Sequence, residues 1–322
     1  MKKNILLIHT GGTISMKMGE EGAVLINERN PLIGAKETLA GYANIVEVEA
    51  FNLPSPHITP KEMLTLRNLI IEQTQLYAID GVVITHGTDT LEETAYFLDL
   101  TTRFDFPIVL TGAMRSSNEL GADGVYNLIE AIRVACDDRA RNKGVLVVMN
   151  DEIHQAFNIT KTSTSSVNTF QSPQYGPIGL VTKKAVHIQQ QPIRRQYVPL
   201  EEVSKRVALL KVYAGMEADI LEAVMASGYD GLVLEGLGQG NVPPAVAQVI
   251  QKLIANGIPV VLVSRCFNGI AEGVYGYEGG GKQLEDMGVI FANGINGQKA
   301  RLKLLIGINQ AHTPIDLKVF FA

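Results

Sequence analysis

The 322-residue chain has the composition of a folded protein, because 46% of its residues are hydrophobic and only 19% are charged, which argues against intrinsic disorder. Its length predicts about two domains at roughly 150 residues per domain. The 28 basic and 33 acidic residues give a net charge of −5, and basic residues adjoin only in pairs. We therefore expect no nucleic-acid partner.

The N-terminal segment and the cysteines predict a cytoplasmic protein. The apolar run at residues 5–8 ends too soon for the core of a signal peptide, and no run approaches the ~20 apolar residues of a membrane span. Cys136 and Cys266 are the two cysteines, too few for a disulfide framework in a chain of this size. We expect a reducing compartment and no membrane partner.

Apolar runs in the first half of the chain predict buried strands. They lie at residues 5–8, 81–85, 107–111 and 144–149, and their Val- and Ile-rich sequences show no alternation, as in strands buried on both faces. Helical segments separate them. The clearest begins at Thr59, with Pro60 in first position and Glu62 completing a capping box. It carries Met63, Leu66 and Ile70 on one face.

The second half of the chain repeats this alternation after a polar break. Residues 189–203 are polar and without period, as in a linker. Strands are then predicted at residues 208–212, 231–235 and 259–264, with helices near 216–227 and 244–256. We predict an α/β fold: a larger N-terminal catalytic domain (1–188) with a mostly parallel sheet and flanking helices, a linker (189–207), and a smaller C-terminal α/β domain (208–322).

Two turns that follow predicted strands carry polar side chains suited to catalysis. Residues 10–13 (TGGT) follow the first strand, and residues 86–90 (HGTDT) follow the strand at 81–85. Ligands of open parallel sheets bind beyond the carboxyl ends of the strands, so both turns are expected at one crevice. A structural explanation stays open for each turn: the glycines permit a tight turn with a capping Thr, and Thr90 or Asp89 caps the next helix.

Lys161 is a third candidate, since it lies in a polar stretch among Thr160, Thr162, Ser163 and Thr164. A lone Lys is usually solvated. In a partly buried crevice, however, desolvation disfavours the charged ammonium and lets the amine take a proton from a hydroxyl.

Other signatures are incomplete, and we expect neither a metal nor a cofactor. The six histidines show no zinc-ligand spacing. Residues 276–283 (GYEGGGKQ) lack the Ser or Thr of a phosphate loop, and the glycines at 236, 238 and 240 lack the spacing of a dinucleotide fingerprint. The chain has no GxSxG motif either, which removes support for a serine hydrolase of the α/β class.

Taken together, several stretches resemble the bacterial L-asparaginase family. They are TGGTI (10–14), ITHGTDT (84–90) continuing into EETAY (92–96), TKT (160–162), TGAMR (111–115), GVLVVMNDE (144–152) and QKAR (298–301). The resemblance covers nearly the whole chain, and residues 92–177 are more similar to the secreted, high-affinity type than to the cytoplasmic type. It implies a larger N-terminal and a smaller C-terminal α/β domain, with sites formed in tight dimers that pair into tetramers.

The resemblance also implies a reaction and its catalytic residues. Thr13 matches the nucleophile, and Thr88, Asp89 and Lys161 match a second catalytic group in which Thr88 and Lys161 transfer protons. The implied activity is hydrolysis of L-asparagine to L-aspartate and ammonia through a Thr-linked acyl-enzyme, without a cofactor. A dual glutaminase-asparaginase that also takes L-glutamine and a catalytically impaired amino-acid-binding relative are the alternatives.

Substrate-binding residues follow from the same resemblance. Ser55 matches the residue that holds the substrate α-carboxylate, Asp89 also binds the ammonium group, and the backbone of Thr88 helps hold the amide. The backbone of Ala113 matches a contact to the leaving amide. Asn241 matches a substrate-side contact from the adjacent subunit.

The chain departs from the family pattern at three places. Residues 14–31 contain no Tyr, whereas the family usually has one in the mobile loop, bonded to the nucleophile. Pro56 stands where the secreted type commonly has Gln. The acidic residue that the neighbouring subunit supplies has no aligned match in the Gly-rich segment 278–283, where Glu278 is the nearest candidate. We expect residues 14–31 to act as a lid, with Gly19, Gly22 and Gly34 as flex points. The favoured hypothesis is that Tyr275 or Tyr277 of a neighbour supplies the phenol, the alternatives being an ordered water or the Thr88–Lys161 group alone.

Overall fold

The structure is a computed structural model and describes residues 2–19, 24–26, 36–192, 196–310 and 315–322. The chain divides into two compact units, Met1–Pro199 and Leu200–Ala322. The border between the units lies inside the segment predicted as a linker. None of the helices in the described ranges is long and apolar enough to cross a membrane.

The first unit is built on a large mixed sheet. Its strands are β1 (Asn4–His9), β2 (Met16–Met18), β3 (Val24–Ile26), β4 (Asn44–Glu49), β5 (Gly81–Thr85), β6 (Ile108–Thr111), β7 (Val145–Met149), β8 (Glu152–Gln155), β9 (Thr160–Lys161), β10 (Phe170–Gln171), β11 (Gly179–Val181) and β12 (Val186–Ile188). Its helices are α1 (Lys36–Ala40), α2 (Pro60–Leu76), α3 (Leu91–Thr101) and α4 (Gly124–Ala135).

Eight of these strands form one sheet in the order β12-β11-β8-β7-β6-β5-β1-β4. The pairs from β4 to β7 are parallel, and those from β7 through β8 and β11 to β12 are antiparallel. Two short antiparallel pairs, β2–β3 and β9–β10, lie outside it.

Both faces of the large sheet are covered by helices. Along β1, Leu7 packs in a cluster that contains residues of α4, whereas Leu6 and Ile8 pack on the opposite face with residues of α2 and α3. Alternate residues of a strand point to opposite faces, so an unbroken apolar run is what this double burial requires. The predicted strands at residues 5–8, 81–85, 107–111 and 144–149 are confirmed.

Helix α2 begins as the sequence predicts. The Thr59 hydroxyl accepts the Lys61 N–H at 3.3 Å, and Glu62 Oε2 accepts the Thr59 N–H at 2.9 Å, which completes the capping box. The predicted apolar face is the buried one. It consists of Met63, Leu66 and Ile70.

The second unit is a smaller α/β structure with its own core. Its parallel sheet has the order β13 (Val207–Lys211), β14 (Gly231–Gly236), β15 (Val260–Ser264) and β16 (Ile290–Phe291). Its helices are α5 (Asp219–Ala226), α6 (Pro244–Ala255), α7 (Gly281–Met287), α8 (Gly297–Ile308) and α9 (Leu317–Phe321). Together the two units confirm the predicted fold class.

Candidate active site

The turns after β1 and β5 meet beyond the carboxyl ends of these two strands, where Gly12 lies against Gly87. The chain passes from β1 to β4 on one side and then crosses to β5 on the other side of β1. Open α/β sheets bind ligands at such a change of direction, where the loops leave the strands on opposite sides. The predicted convergence of the two turns is therefore confirmed.

The turn after β1 depends on its two glycines. Gly11 and Gly12 have φ angles of 100° and 86°, in the left-handed region that favours glycine. A Cβ on Gly12 would lie 2.2 Å from the Cα of Gly87, and one on Gly11 would lie 2.6 Å from the Leu53 backbone nitrogen. The turn thus packs backbone against backbone, and it places Thr13 at the start of a short 3-10 helix, partly buried in the crevice.

His86 fixes the turn after β5. Its ring is fully buried, and burial lowers the pKa of His86 to about 4, so the imidazole is neutral near pH 7. Nδ1 lies 2.8 Å from the Gly87 carbonyl oxygen, which can only accept, so Nδ1 carries the proton. Nε2 then accepts from the Thr94 hydroxyl at 2.9 Å. His86 thereby ties the crevice loop to helix α3.

Ser55 ties a third loop to the same turn. Its carbonyl accepts the Thr90 hydroxyl at 2.8 Å, and its Oγ accepts the Asp89 N–H at 3.2 Å. The hypothesis that a Thr90 or Asp89 side chain caps α3 is wrong, because Thr90 occupies the N-cap position without a side-chain cap bond. The buried Ser55 hydroxyl lines the crevice and keeps its own hydrogen available for a carboxylate.

Lys161 reaches the crevice from the β9–β10 pair. Its Nζ donates to Thr88 Oγ1 at 2.9 Å and to Asp89 Oδ1 at 2.7 Å. The Lys161 side chain is 17% exposed, whereas that of Asp89 is 60% exposed, so the amine is sheltered and the carboxylate faces solvent. A hydroxyl, an amine and a carboxylate in direct contact form a chain that can transfer a proton and bind a cation.

Ala113 lies two residues after the end of β6 and is buried. A Cβ on Gly124, the first residue of α4, would lie 2.9 Å from Ile14 Cγ1 and 3.3 Å from Ala113 Cβ. The N-terminus of α4 therefore packs against the residue after Thr13 and against Ala113. It thus supports the turn after β1 and the turn after β6.

These loops enclose a cavity of about 340 Å³. Thr13, Ser55, Thr88, Asp89 and Lys161 all line it, as does Pro56. The cavity offers hydroxyls as nucleophile and donor, an amine and a carboxylate. This set suits attack on the carbonyl of a small zwitterionic molecule. Within the described ranges, no group of three or more His, Cys, Asp or Glu side chains could hold a metal ion.

The cavity wall also contains residues for which the sequence predicted no role, among them Met16, Ser116, Glu119 and Thr164. The Glu119 carboxylate accepts the Ser116 N–H. The buried Ser116 hydroxyl has no hydrogen-bond partner in the described part of the chain. Ser116 directly follows the TGAMR stretch, so extending that motif by one residue is the signal that could have found it.

Asn241 lies in the second unit and lines a different cavity of about 530 Å³. Its Oδ1 accepts the Gly281 N–H at 3.1 Å. Tyr275 and Tyr277 line the same cavity, with ring centroids 5.6 Å apart. Residues 20–23 and 27–35 lie outside the described residues, and with them Gly22 and Gly34 of the lid hypothesis.

Comparison with known proteins gives matches over both units. The family model described as "Asparaginase, N-terminal" matches residues 4–194, and that described as "Glutaminase/Asparaginase C-terminal domain" matches residues 206–321. A probable L-asparaginase of Deinococcus radiodurans is 38% identical over 98% of this chain and 96% of its own length. L-asparaginase of Bacillus licheniformis is 34% identical over 95% of each chain. L-asparaginase 2 of Escherichia coli is 36% identical over 99% of this chain and 92% of its own.

Proposed function

Because the chain belongs to the asparaginase family, we propose that it is an amidohydrolase that converts L-asparagine into L-aspartate and ammonia. The observation that carries this proposal is the Lys161 amine, 2.9 Å from Thr88 Oγ1 and 2.7 Å from Asp89 Oδ1, in the cavity that Thr13 also lines. Such a cavity holds a nucleophile and a proton-transfer group side by side.

In the first half-reaction, the Thr13 hydroxyl oxygen attacks the side-chain carbonyl carbon of asparagine. Thr88 and Lys161 relay the hydroxyl proton to the amide nitrogen, the C–N bond breaks, and ammonia leaves. In the second half, a water molecule gives a proton to the same relay and attacks the Thr13 ester. The ester bond breaks, aspartate is released, and the relay returns a proton to the Thr13 oxygen, which restores its hydroxyl.

Substrate recognition uses the charged ends of the amino acid. The exposed Asp89 carboxylate pairs with the substrate ammonium, and the Ser55 hydroxyl donates to the α-carboxylate. The backbone of Thr88 helps hold the side-chain amide, and the backbone of Ala113 contacts the leaving nitrogen. Holding both ends fixes the carbonyl carbon next to Thr13.

Ammonia release by the purified chain, measured side by side on L-asparagine and L-glutamine, tests this proposal. We expect turnover on asparagine to exceed that on glutamine, because the extra methylene displaces the amide from a nucleophile held by a rigid glycine turn. Equal turnover would indicate a dual glutaminase-asparaginase. Binding of asparagine without ammonia release would indicate an amino-acid-binding relative and contradict the proposal.

We also propose that the chain self-associates as a dimer of dimers in which Asn241 of one subunit completes the cavity of its neighbour. Exposed apolar side chains in residues 267–277 support this proposal, since clusters of this kind mark interaction surfaces. They are Phe267, Ile270, Val274, Tyr275 and Tyr277. The two phenols line the same cavity as Asn241. This placement is compatible with the hypothesis that a neighbour's Tyr275 or Tyr277 activates Thr13.

We place the protein in the cytoplasm. Cys136 and Cys266 are free cysteines, as is usual in a reducing compartment. Fractionation of the source cells tests this assignment, and recovery of the protein outside the cytoplasmic fraction would contradict it.

A further inference from the structure

Asp123 stands at the start of helix α4 but does not cap that helix. It occupies the N-cap position without a side-chain cap bond, although Asp is among the preferred capping residues. Its carboxylate turns back along the chain instead. Oδ2 accepts the Met114 N–H and Oδ1 accepts the Arg115 N–H, each at 3.0 Å. The positive end of the α4 dipole favours a carboxylate at this place.

These bonds fix the direction of the Ala113 carbonyl. The described chain contains no cis peptide bond, and in a trans peptide the C=O and N–H groups point in opposite directions. The N–H of the Ala113–Met114 peptide is directed at Asp123, so the Ala113 carbonyl is directed away from Asp123.

Asn127 fixes the peptide on the other side of Ala113. Its Nδ2 donates to the Gly112 carbonyl at 3.0 Å and to Asp123 Oδ2 at 3.1 Å. Its Oδ1 accepts the Asn150 N–H at 3.1 Å, and the residue is 1% exposed. A buried amide with these partners holds one orientation, so both peptide planes around Ala113 are anchored on α4.

We propose that Asp123, assisted by Asn127, is a positioning residue that directs the Ala113 carbonyl at the leaving amide nitrogen of the substrate. This inference rests on the proposed function, in which the Ala113 backbone contacts that nitrogen. An amide nitrogen that departs as ammonia carries N–H donors throughout, so a fixed acceptor stabilises its departure. Asp123 touches neither the substrate nor the reacting atoms and acts through the Ala113–Met114 peptide.

The test compares two leaving groups on an Asp123→Asn variant. The amide nitrogen of asparagine carries N–H donors of its own, whereas the ester oxygen of the β-methyl ester of L-aspartate carries no hydrogen until the relay protonates it and it leaves as methanol. In Asp123→Asn an NH₂ group replaces one acceptor oxygen and faces a backbone N–H. We expect kcat/KM on asparagine to fall about 10- to 100-fold, the loss that a small misplacement causes, and kcat/KM on the ester to fall less than about threefold because the ester oxygen brings no such donor of its own.

A matched control is Asp316→Asn. The Asp316 carboxylate also accepts two consecutive backbone N–H groups, those of Lys318 and Val319 at 2.9 and 3.3 Å, but in the second unit. This variant is expected to keep the wild-type ratio of the two substrates. Asn127→Ser, which removes the donor to the Gly112 carbonyl, is expected to shift the ratio in the same direction as Asp123→Asn.

Because both substrates are assayed on one preparation, the ratio does not depend on how much of a variant is folded. Equal losses on the amide and the ester in Asp123→Asn and Asn127→Ser would overturn the inference and leave the proposed function intact. Failure of the wild-type chain to hydrolyse either substrate would overturn the proposed function instead.

Discussion

His86 and Glu130 are buried ionisable residues whose pKa values shift in opposite directions. Burial lowers the pKa of His86 from 6.5 to about 4. The unfolded chain therefore takes up this proton at higher pH than the folded chain, and the stability contribution is complete above pH 6.5 and is lost as the pH falls toward 4. Burial, with the neighbouring Asp151 carboxyl, raises the pKa of Glu130 from 4.5 to about 7. That contribution is complete below pH 4.5 and is lost as the pH rises toward 7.

We predict that single variants separate these opposing effects. In His86→Gln, the free energy of unfolding should fall less between pH 6.5 and pH 4.5 than in the wild type, because no buried imidazole resists protonation. In Glu130→Gln, the loss of stability between pH 5 and pH 7 should be smaller. Urea unfolding at a series of pH values measures both slopes, and His187→Gln, at an exposed position, is the control. If the free energy of unfolding of His86→Gln changed with pH as steeply as that of the wild type, the lowered pKa of His86 would be contradicted.

At the scale of elements, the glycine turn after β1 is the feature on which the cavity depends most. Gly12 and Gly257 both have positive φ angles, 86° and 75°. A Cβ at Gly12 would meet the Gly87 backbone at 2.2 Å, whereas one at Gly257 would meet nothing within 4 Å. The two positions therefore share a positive φ angle and differ in the clash.

We predict that Gly257→Ala costs about 1 kcal/mol of stability, the strain alone, with activity unchanged. Gly12→Ala should cost more and should lower ammonia release roughly 100-fold, because the turn must move away from Gly87 and carries Thr13 with it. Thermal unfolding and the ammonia assay on both variants check this pair. Equal losses of stability and of ammonia release in the two variants would show that the close approach of the turns is not needed for catalysis.

The sequence predicted best those elements that are buried on both sides. The sequence of strand β5 is a continuous apolar run, which is not typical of a segment at the protein surface. Strand β4 was missed, because it lies at the edge of the sheet and its apolar residues are interrupted by Glu47 and Glu49. The antiparallel strands β9 and β10 have two residues each and show no period at all.

The candidate site likewise contains parts that the sequence predicted and parts that it did not. Its glycine and hydroxyl turns were predicted because they follow recognisable strands. The contact of Lys161 with Thr88 spans 73 positions and depends on the short β9–β10 pair. Asp123 and Asn127 were missed because polar residues on a helix are usually solvent-facing, and only the fold brings them against Ala113.

At the scale of the whole molecule, the proposed dimer predicts complementation between two inactive variants. Thr13→Ala lacks the nucleophile, and Asn241→Ala lacks the contact that a neighbour supplies. In a mixed dimer, one site carries both defects and the other carries neither. Refolding the two variants together should therefore restore up to about a quarter of wild-type activity, since closed two-fold dimers form at random from the two chains.

The ammonia assay before and after mixing measures this effect, with sedimentation to confirm that dimers form. Each variant refolded alone serves as the control. If mixing restores no activity, Asn241 does not act across a subunit boundary. A wild-type chain that is fully active as a monomer would contradict the dimer as well.

The assignment of Thr13 as the nucleophile of an asparagine amidohydrolase can be tested by steady-state ammonia release from a Thr13→Ala variant. Thr164→Ala is the matched control, because Thr164 lines the same cavity and has no catalytic role in the proposal. We predict that Thr13→Ala folds normally and loses at least ~100-fold in turnover, as loss of a nucleophile does, while turnover of Thr164→Ala stays within a few-fold of the wild type. A folded Thr13→Ala variant that keeps more than about a tenth of wild-type ammonia release would contradict it.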